Sequence, residues 1–192
     1  KFRLPKAQRK EINILTDEEV HTLMGSFDTR HFIQLRNYCI CALMLDSGLR
    51  MNEAATLTLD NLHVHEGYAI VDGKGGKQRT VYFSVRAKLM LQLYIKERRG
   101  GDALFASSRA PYEPLSDRGI EKIISKLGKR IGMERPLYPH LMRHTFASHA
   151  LNCGMELTII QHLLGHSDPK TTLIYAEINP IRVQYEYNRV IA

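Results

Sequence analysis

Apolar and polar positions recur along this chain with two different periods, and the changes of period divide it into elements. After a basic opening that contains Pro5, Thr16 precedes Asp17, Glu18 and Glu19. A Thr three residues ahead of a Glu is the pattern of a capping box, so a short helix is predicted to start there with Val20 and Leu23 on its inner face. A longer apolar stretch predicts a helix over about 31–46, ended by Gly48, and 51–57 reads as another short helix. At Leu62 the pattern changes. Segments 62–65, 68–72 and 79–83 are short β-branched or aromatic runs separated by glycines. They predict a small antiparallel sheet with Gly73-Lys74-Gly75-Gly76 at a tight turn. Helical spacing returns over 85–99, 116–131, 139–152, 156–164 and 170–178, and 180–191 is a candidate tail helix. The predicted fold is therefore mainly α with a small antiparallel β-sheet (α+β), without the strand–helix alternation of a doubly wound domain. Segment 1–14 reads as a linker tail, 15–178 as one domain, and 179–192 as a C-terminal tail segment.

Composition narrows the setting. A chain of 192 residues, 44% apolar and 24% charged, suits one sizeable globular domain. No apolar run approaches the roughly 20 residues that span a bilayer. No apolar signal core follows the basic residues 1–10, so the expectation is a cytoplasmic protein without a secretion signal. The chain opens on Lys instead of Met, which reads as a piece of something longer. Lys and Arg number 27 against 20 acids, a net charge of +7. That excess suits a polyanionic partner, although a solvated basic surface would have the same composition. Cys39 and Cys41 fall inside an apolar stretch and Cys153 stands alone; all three read as reduced, buried thiols.

Three segments carry candidate chemistry. In Ser47-Gly48-Leu49-Arg50-Met51-Asn52-Glu53 one helix stops and another starts, which places Arg50 near a helix end where it can be aimed at a ligand. In Gly73-Lys74-Gly75-Gly76-Lys77-Gln78-Arg79, glycines around a Lys let backbone approach a phosphate closely, but the run leads into a strand and lacks P-loop spacing. In His140-Leu141-Met142-Arg143-His144, His140 and Arg143 share one helix face; Leu163-Leu164-Gly165-His166 follows, and then Tyr175. His140 and His144 are spaced as metal ligands could be, yet Leu141 stands where a zinc protease motif has its Glu. No metal site is assigned.

Taken in order, Gly-Leu-Arg, a Lys in a glycine-rich hairpin, His-x-x-Arg, Leu-Gly-His and a Tyr nine residues later resemble the signature of the tyrosine recombinase or phage integrase family, over about 15–178. The resemblance implies the family's catalytic-domain fold and its reaction, site-specific recombination through a 3′-phosphotyrosine. By the same resemblance Tyr175 is the nucleophile, Arg50 and Arg143 the phosphate clamps and Lys74 the general acid. His140 and His166 complete the site, and Glu53 is a support behind it. No cofactor is implied. The implied partners are double-stranded DNA and further copies of the chain, as a tetramer on paired sites, with the tail after residue 178 passed between protomers. A separate N-terminal DNA-binding domain is also implied. The residue types suit this chemistry: paired guanidinium donors bind non-bridging phosphate oxygens and keep their charge, and a Tyr hydroxyl can hold the broken strand covalently.

Two other readings stay open at this level. A type IB topoisomerase shares the chemistry but relaxes supercoils as a monomer; the short Leu-Gly-His segment favours recombination. A DNA-binding module that has lost catalysis is the other, and an intact Tyr175 with both arginines speaks against it.

Overall fold

A computed structural model describes residues 13–73 and 75–165. Among the described residues seven helices and three strands follow one another: α1 (Asp17–Gly25), α2 (Phe32–Ser47), α3 (Met51–Thr56), β1 (Leu62–His63), β2 (Tyr68–Asp72), β3 (Gln78–Tyr82), α4 (Val85–Glu97), α5 (Asp117–Arg130), α6 (Pro139–Asn152) and α7 (Leu157–Leu164). The mainly helical fold with one small antiparallel sheet is as the periodicity predicts.

Local chemistry sets most element ends. The Thr16 hydroxyl accepts from the Glu19 backbone N–H while the Glu19 carboxylate accepts from the Thr16 N–H, which is the anticipated capping box. Ser84 and Ser116 cap α4 and α5 in the same way through their hydroxyls. Gly48 ends α2 with φ +61°, and a side chain could not replace its hydrogen. A Cβ there would lie 2.6 Å from both Leu164 Cδ2 and Phe146 Cδ1. Gly48 thus answers to its turn and to the close approach of α6 and α7.

Helix α2 is buried nearly all round, with Leu35, Tyr38, Cys39, Ile40, Cys41, Leu43 and Met44 almost inaccessible. A helix apolar on every side belongs in the middle of a bundle. It packs against α4, α6, α1 and β3, while α3 rests on α5 and α7 on α6 and β3. Burial pushes the thiols of Cys39 and Cys41 upward, Cys41 to about 12, so both are inert neutral groups. Cys153 corrects the expectation of three buried thiols: it is exposed, because it follows the last residue of α6 as its C-cap.

The sheet runs in the order β1-β2-β3, antiparallel throughout, with Val71 opposite Arg79 and Ala69 opposite Val81. Strand β1 is shorter than the predicted 62–65. The chain turns back at Gly67, whose N–H donates to the His63 carbonyl with φ +85°. Segment 100–115, for which the periodicity predicts no element, contributes buried Leu104 and Phe105 and two isolated bridges, Thr58 with Ala103 and Ala106 with Pro114. The predicted helices over 170–178 and 180–191 lie outside the described residues.

A satellite apolar cluster joins α6 and α7: Ala147, Ala150, Ile160 and Leu164, with Phe146, Leu151 and Met155 against it. Its border with the main core is the seam where the α2–α3 turn, β3 and the end of α7 meet. The candidate site lies there.

Candidate active site

Helix α7 is eight residues long, and its last carbonyls have no partners within the helix. Three arginines from three separate elements supply them. Arg79, on β3, donates through Nη1 to the Leu163 carbonyl. Arg143, on α6, donates through Nη2 to the Leu164 carbonyl at 2.6 Å and through Nη1 to the Gly48 carbonyl. Arg50, the N-cap of α3, donates through Nη2 to the Gly165 carbonyl at 2.9 Å. Cations are favoured at the negative end of a helix, so the cluster suits the position electrostatically as well as by hydrogen bonding.

Three clustered guanidiniums need a counter-charge, and Glu53 is that charge. Its side chain is fully buried and accepts from Arg50 Nη1 at 2.8 Å and Arg79 Nη2 at 2.7 Å. It also accepts from the Arg50 backbone N–H at 2.8 Å and from Arg79 Nε at 3.3 Å. Burial alone would raise the Glu53 carboxyl, but the hydrogen bonds and charge of Arg79, then the hydrogen bonds of Arg50, outweigh it and hold the group below the ordinary carboxylate value. Glu53 is therefore ionised at neutral pH. Among the described residues no buried side-chain polar atom lacks a hydrogen-bond partner, so the cluster is a satisfied network.

Gly165 is the hub. Its φ is +61°, and a Cβ on it would stand 2.7 Å from Arg79 Cδ and 3.5 Å from Arg50 Nη1. The glycine of Leu-Gly-His thus lets the chain pass directly over two arginines as it leads into His166.

The predicted site residues are placed as follows. Arg50 and Arg143, 93 positions apart in sequence, come together at the end of α7, one on each of two adjacent carbonyls. The Arg50 side chain is 22% exposed, whereas Arg143 is 4% exposed. His140 is three residues before Arg143 on α6 but lies on the exposed side, with its ring centroid 6.4 Å from that of His144. His144 is partly buried, and that desolvation, with the charges of His140 and Arg143 nearby, lowers its pKa, so its ring is neutral at pH 7. Lys74, His166 and Tyr175 lie outside the described residues; on either side of Lys74, the Gly73 N–H donates to the Lys77 carbonyl at 2.8 Å, closing the β2–β3 turn. Among the described residues no group of three His, Cys, Asp or Glu side chains is arranged to hold a metal ion, and no helix is long and apolar enough to cross a membrane.

Arg79 is the residue that motif reading passes over. The strand pattern contained a signal for it. Alternation along β3 puts Arg79 on the same inward face as Val81, and a cation on an inward face requires a buried partner.

An α+β bundle that gathers arginines from separate segments at a helix end, with a buried carboxylate behind them, defines a class suited to binding a phosphate. The particular family follows from comparison: residues 13–182 match the phage integrase family, and the chain belongs to it. The chain is 34% identical to the tyrosine recombinase XerD of Halalkalibacterium halodurans over 191 residues, covering 96% of this chain and 63% of that protein. It is 32% identical to XerD of Listeria monocytogenes serotype 4b, covering 96% and 64%. It thus spans a little under two thirds of the length of these relatives. The crystal structure of XerA recombinase superposes with a TM-score of 0.78 at 28% identity, covering 94% of this chain and 65% of that one. The XerH site-specific recombinase bound to difH substrate, in a pre-cleavage complex, shares the fold with a TM-score of 0.77 at 23% identity, covering 98% and 57%.

Proposed function

We propose that this chain is the catalytic domain of a site-specific DNA recombinase that cuts and rejoins double-stranded DNA through a 3′-phosphotyrosine on Tyr175. The observation that carries this reading is the meeting of Arg50 and Arg143 on adjacent carbonyls beside the segment that leads into His166. Negative charge builds on the non-bridging oxygens of a phosphodiester as the nucleophile attacks, and preorganised guanidinium groups stabilise it. Arg50 and Arg143 are the clamps in this scheme, Lys74 protonates the departing 5′ oxygen, and His140 and His166 complete the site. Because one ester replaces another, rejoining needs no nucleotide cofactor. The relatives named above as recombinases, and the XerH structure bound to its difH substrate, support DNA as the partner.

Incubation with a nicked suicide substrate in excess chelator tests the proposal. A covalent protein–DNA adduct on a denaturing gel is expected; an adduct that forms only after a divalent ion is restored would sink the metal-free mechanism, and no adduct under either condition would sink the activity. The role of Lys74 has its own readout. Sulfur in place of the bridging 5′ oxygen makes a leaving group that scarcely needs a proton, so this substrate is expected to rescue Lys74→Ala but not Arg143→Ala. Rescue of Lys77→Ala instead would move the general acid to Lys77.

The proposed assembly is a tetramer in the cytoplasm on two paired DNA sites, preceded in the full protein by an N-terminal DNA-binding domain. Segment 179–192 contains Ile181, Val183, Tyr185, Tyr187, Val190 and Ile191, an apolar content that gains by burial against a neighbouring copy. Deleting the residues after Ile178 is expected to weaken complexes on paired sites more than binding to a single site. Equal losses in the two assays, or a fall in thermal stability of the isolated chain, would assign the tail to its own domain.

A further inference from the structure

Glu53 poses a problem of charge. A buried carboxylate in direct contact with Arg50 cancels the charge that Arg50 would present to a phosphate. In this structure Glu53 has a second cation. Arg79 meets it through Nη2 at 2.7 Å and Nε at 3.3 Å, and the Arg79 side chain is only 6% exposed. The lowering of the Glu53 carboxyl owes more to Arg79 than to Arg50. One carboxylate between two guanidiniums leaves one positive charge over. Of the two arginines, Arg50 is the more open, at 22% against 6%, so the remaining charge is delivered outward through Arg50.

Arg79 acts on the same place by a second route. Its Nη1 donates to the Leu163 carbonyl, and its Cδ would lie 2.7 Å from a Cβ at Gly165. The stem of Arg79 is thus the floor on which Gly165 sits, while Arg50 reaches the carbonyl of that same residue.

We propose that Arg79 is a positioning residue for DNA cleavage: it neutralises Glu53 so that Arg50 keeps its charge for the scissile phosphate, and it holds the end of α7 at the distance Arg50 and Arg143 require. This rests on Arg50 acting as a phosphate clamp. Arg79 itself is too enclosed to touch DNA. Lysine replaces it poorly, since a single ammonium cannot serve two carboxylate oxygens and a carbonyl in the geometry of the guanidinium fork.

Single-turnover cleavage at saturating protein separates this from a structural role. Two substrates are compared, a normal phosphodiester and one with an uncharged methylphosphonate at the scissile position. On the phosphodiester, Arg79→Met is expected to slow cleavage about 100-fold, the loss typical of one stabilising donor, with DNA affinity nearly unchanged. On the methylphosphonate, which makes less demand on the charge of Arg50, the deficit should shrink at least about tenfold, as it should for Arg50→Ala. An equal deficit on both substrates would overturn the proposal in favour of packing alone. The double variant Glu53→Gln/Arg79→Met removes both halves of the buried pair and keeps the charge of Arg50, so it should cleave at least about tenfold faster than Arg79→Met, the remaining deficit being the lost support of α7. That variant also decides the matter should Arg79→Met alone fail to fold; a loss in it as deep as that of Arg50→Ala overturns the role. If Arg50→Ala itself cleaves normally, the clamp reading fails first. If Arg50→Ala is impaired and Arg79→Met is not, only the role of Arg79 falls.

Discussion

Tyr175→Phe is expected to abolish the covalent protein–DNA adduct while leaving affinity for the target site nearly unchanged. The two properties rest on different groups. Adduct formation needs the phenolic oxygen, because that atom becomes the ester oxygen when the strand is cut. Affinity rests on cations facing phosphates and on the counterions they release, and the chain keeps its excess of 27 Lys and Arg over 20 acids in the variant. The substitution removes one oxygen and keeps the aromatic ring. The measurement pairs a denaturing gel on a nicked suicide substrate with a binding titration at one fixed salt concentration. An adduct that persists in the Phe variant would transfer the role to another tyrosine, with Tyr185 and Tyr187 the first to test.

Glu53→Gln should have the largest effect on stability. The substitution keeps the shape but removes the charge between Arg50 and Arg79, and it turns amide N–H groups toward guanidinium donors. Uncovering a buried ion pair in this way typically costs about 3 kcal/mol or more. Urea denaturation at pH 7 would measure it, and a difference near zero would mean that solvent already screens the cluster. The pH dependence provides a further check. The folded-state pKa of Glu53 lies below its unfolded value, so its contribution is present above the unfolded pKa and lost as the pH falls through the folded one. The gap between the unaltered protein and Glu53→Gln should therefore be widest near neutrality and close in acid, below the usual carboxylate value of about 4.3. A gap that stays constant down to pH 2 would show that Glu53 acts by shape and not by charge. The test is independent of catalysis, since it needs no DNA.

Much of the architecture could be read along the chain because its causes are local. The helix beginning at Asp17 follows from Thr16 and Glu19, which are neighbours in sequence and satisfy each other's backbone. The end of α2 follows from Gly48, since a positive φ at a helix end is what glycine accepts most readily. Helix α6 begins and ends where its pattern placed it, with Pro139 at the first helical position. Burial of Cys39 and Cys41 was equally legible from the apolar run around them. The misreadings have local causes too. Strand β1 ended early at the Gly67 turn, and Cys153 proved exposed because a helix cap does not share the burial of the helix it ends. Segment 100–115 gave no periodic signal, since it is held by two single bridges, one to Thr58 and one within itself, and not by a repeating ladder.

By itself, then, the sequence determined the order and type of the elements among the described residues and the family, and it singled out Arg50, His140 and Arg143 together with Lys74, His166 and Tyr175. Only the tertiary structure decided how the charges are arranged. Arg50 reaches a carbonyl 115 residues away, Arg79 one 84 residues away, and Glu53 meets Arg79 across 26 residues. No local spacing encodes such meetings. They arise because α3, β3, α6 and α7 close on one seam, where the unpaired carbonyls of a short helix and a buried carboxylate must both be satisfied, and arginine is the side chain with enough donors to serve both.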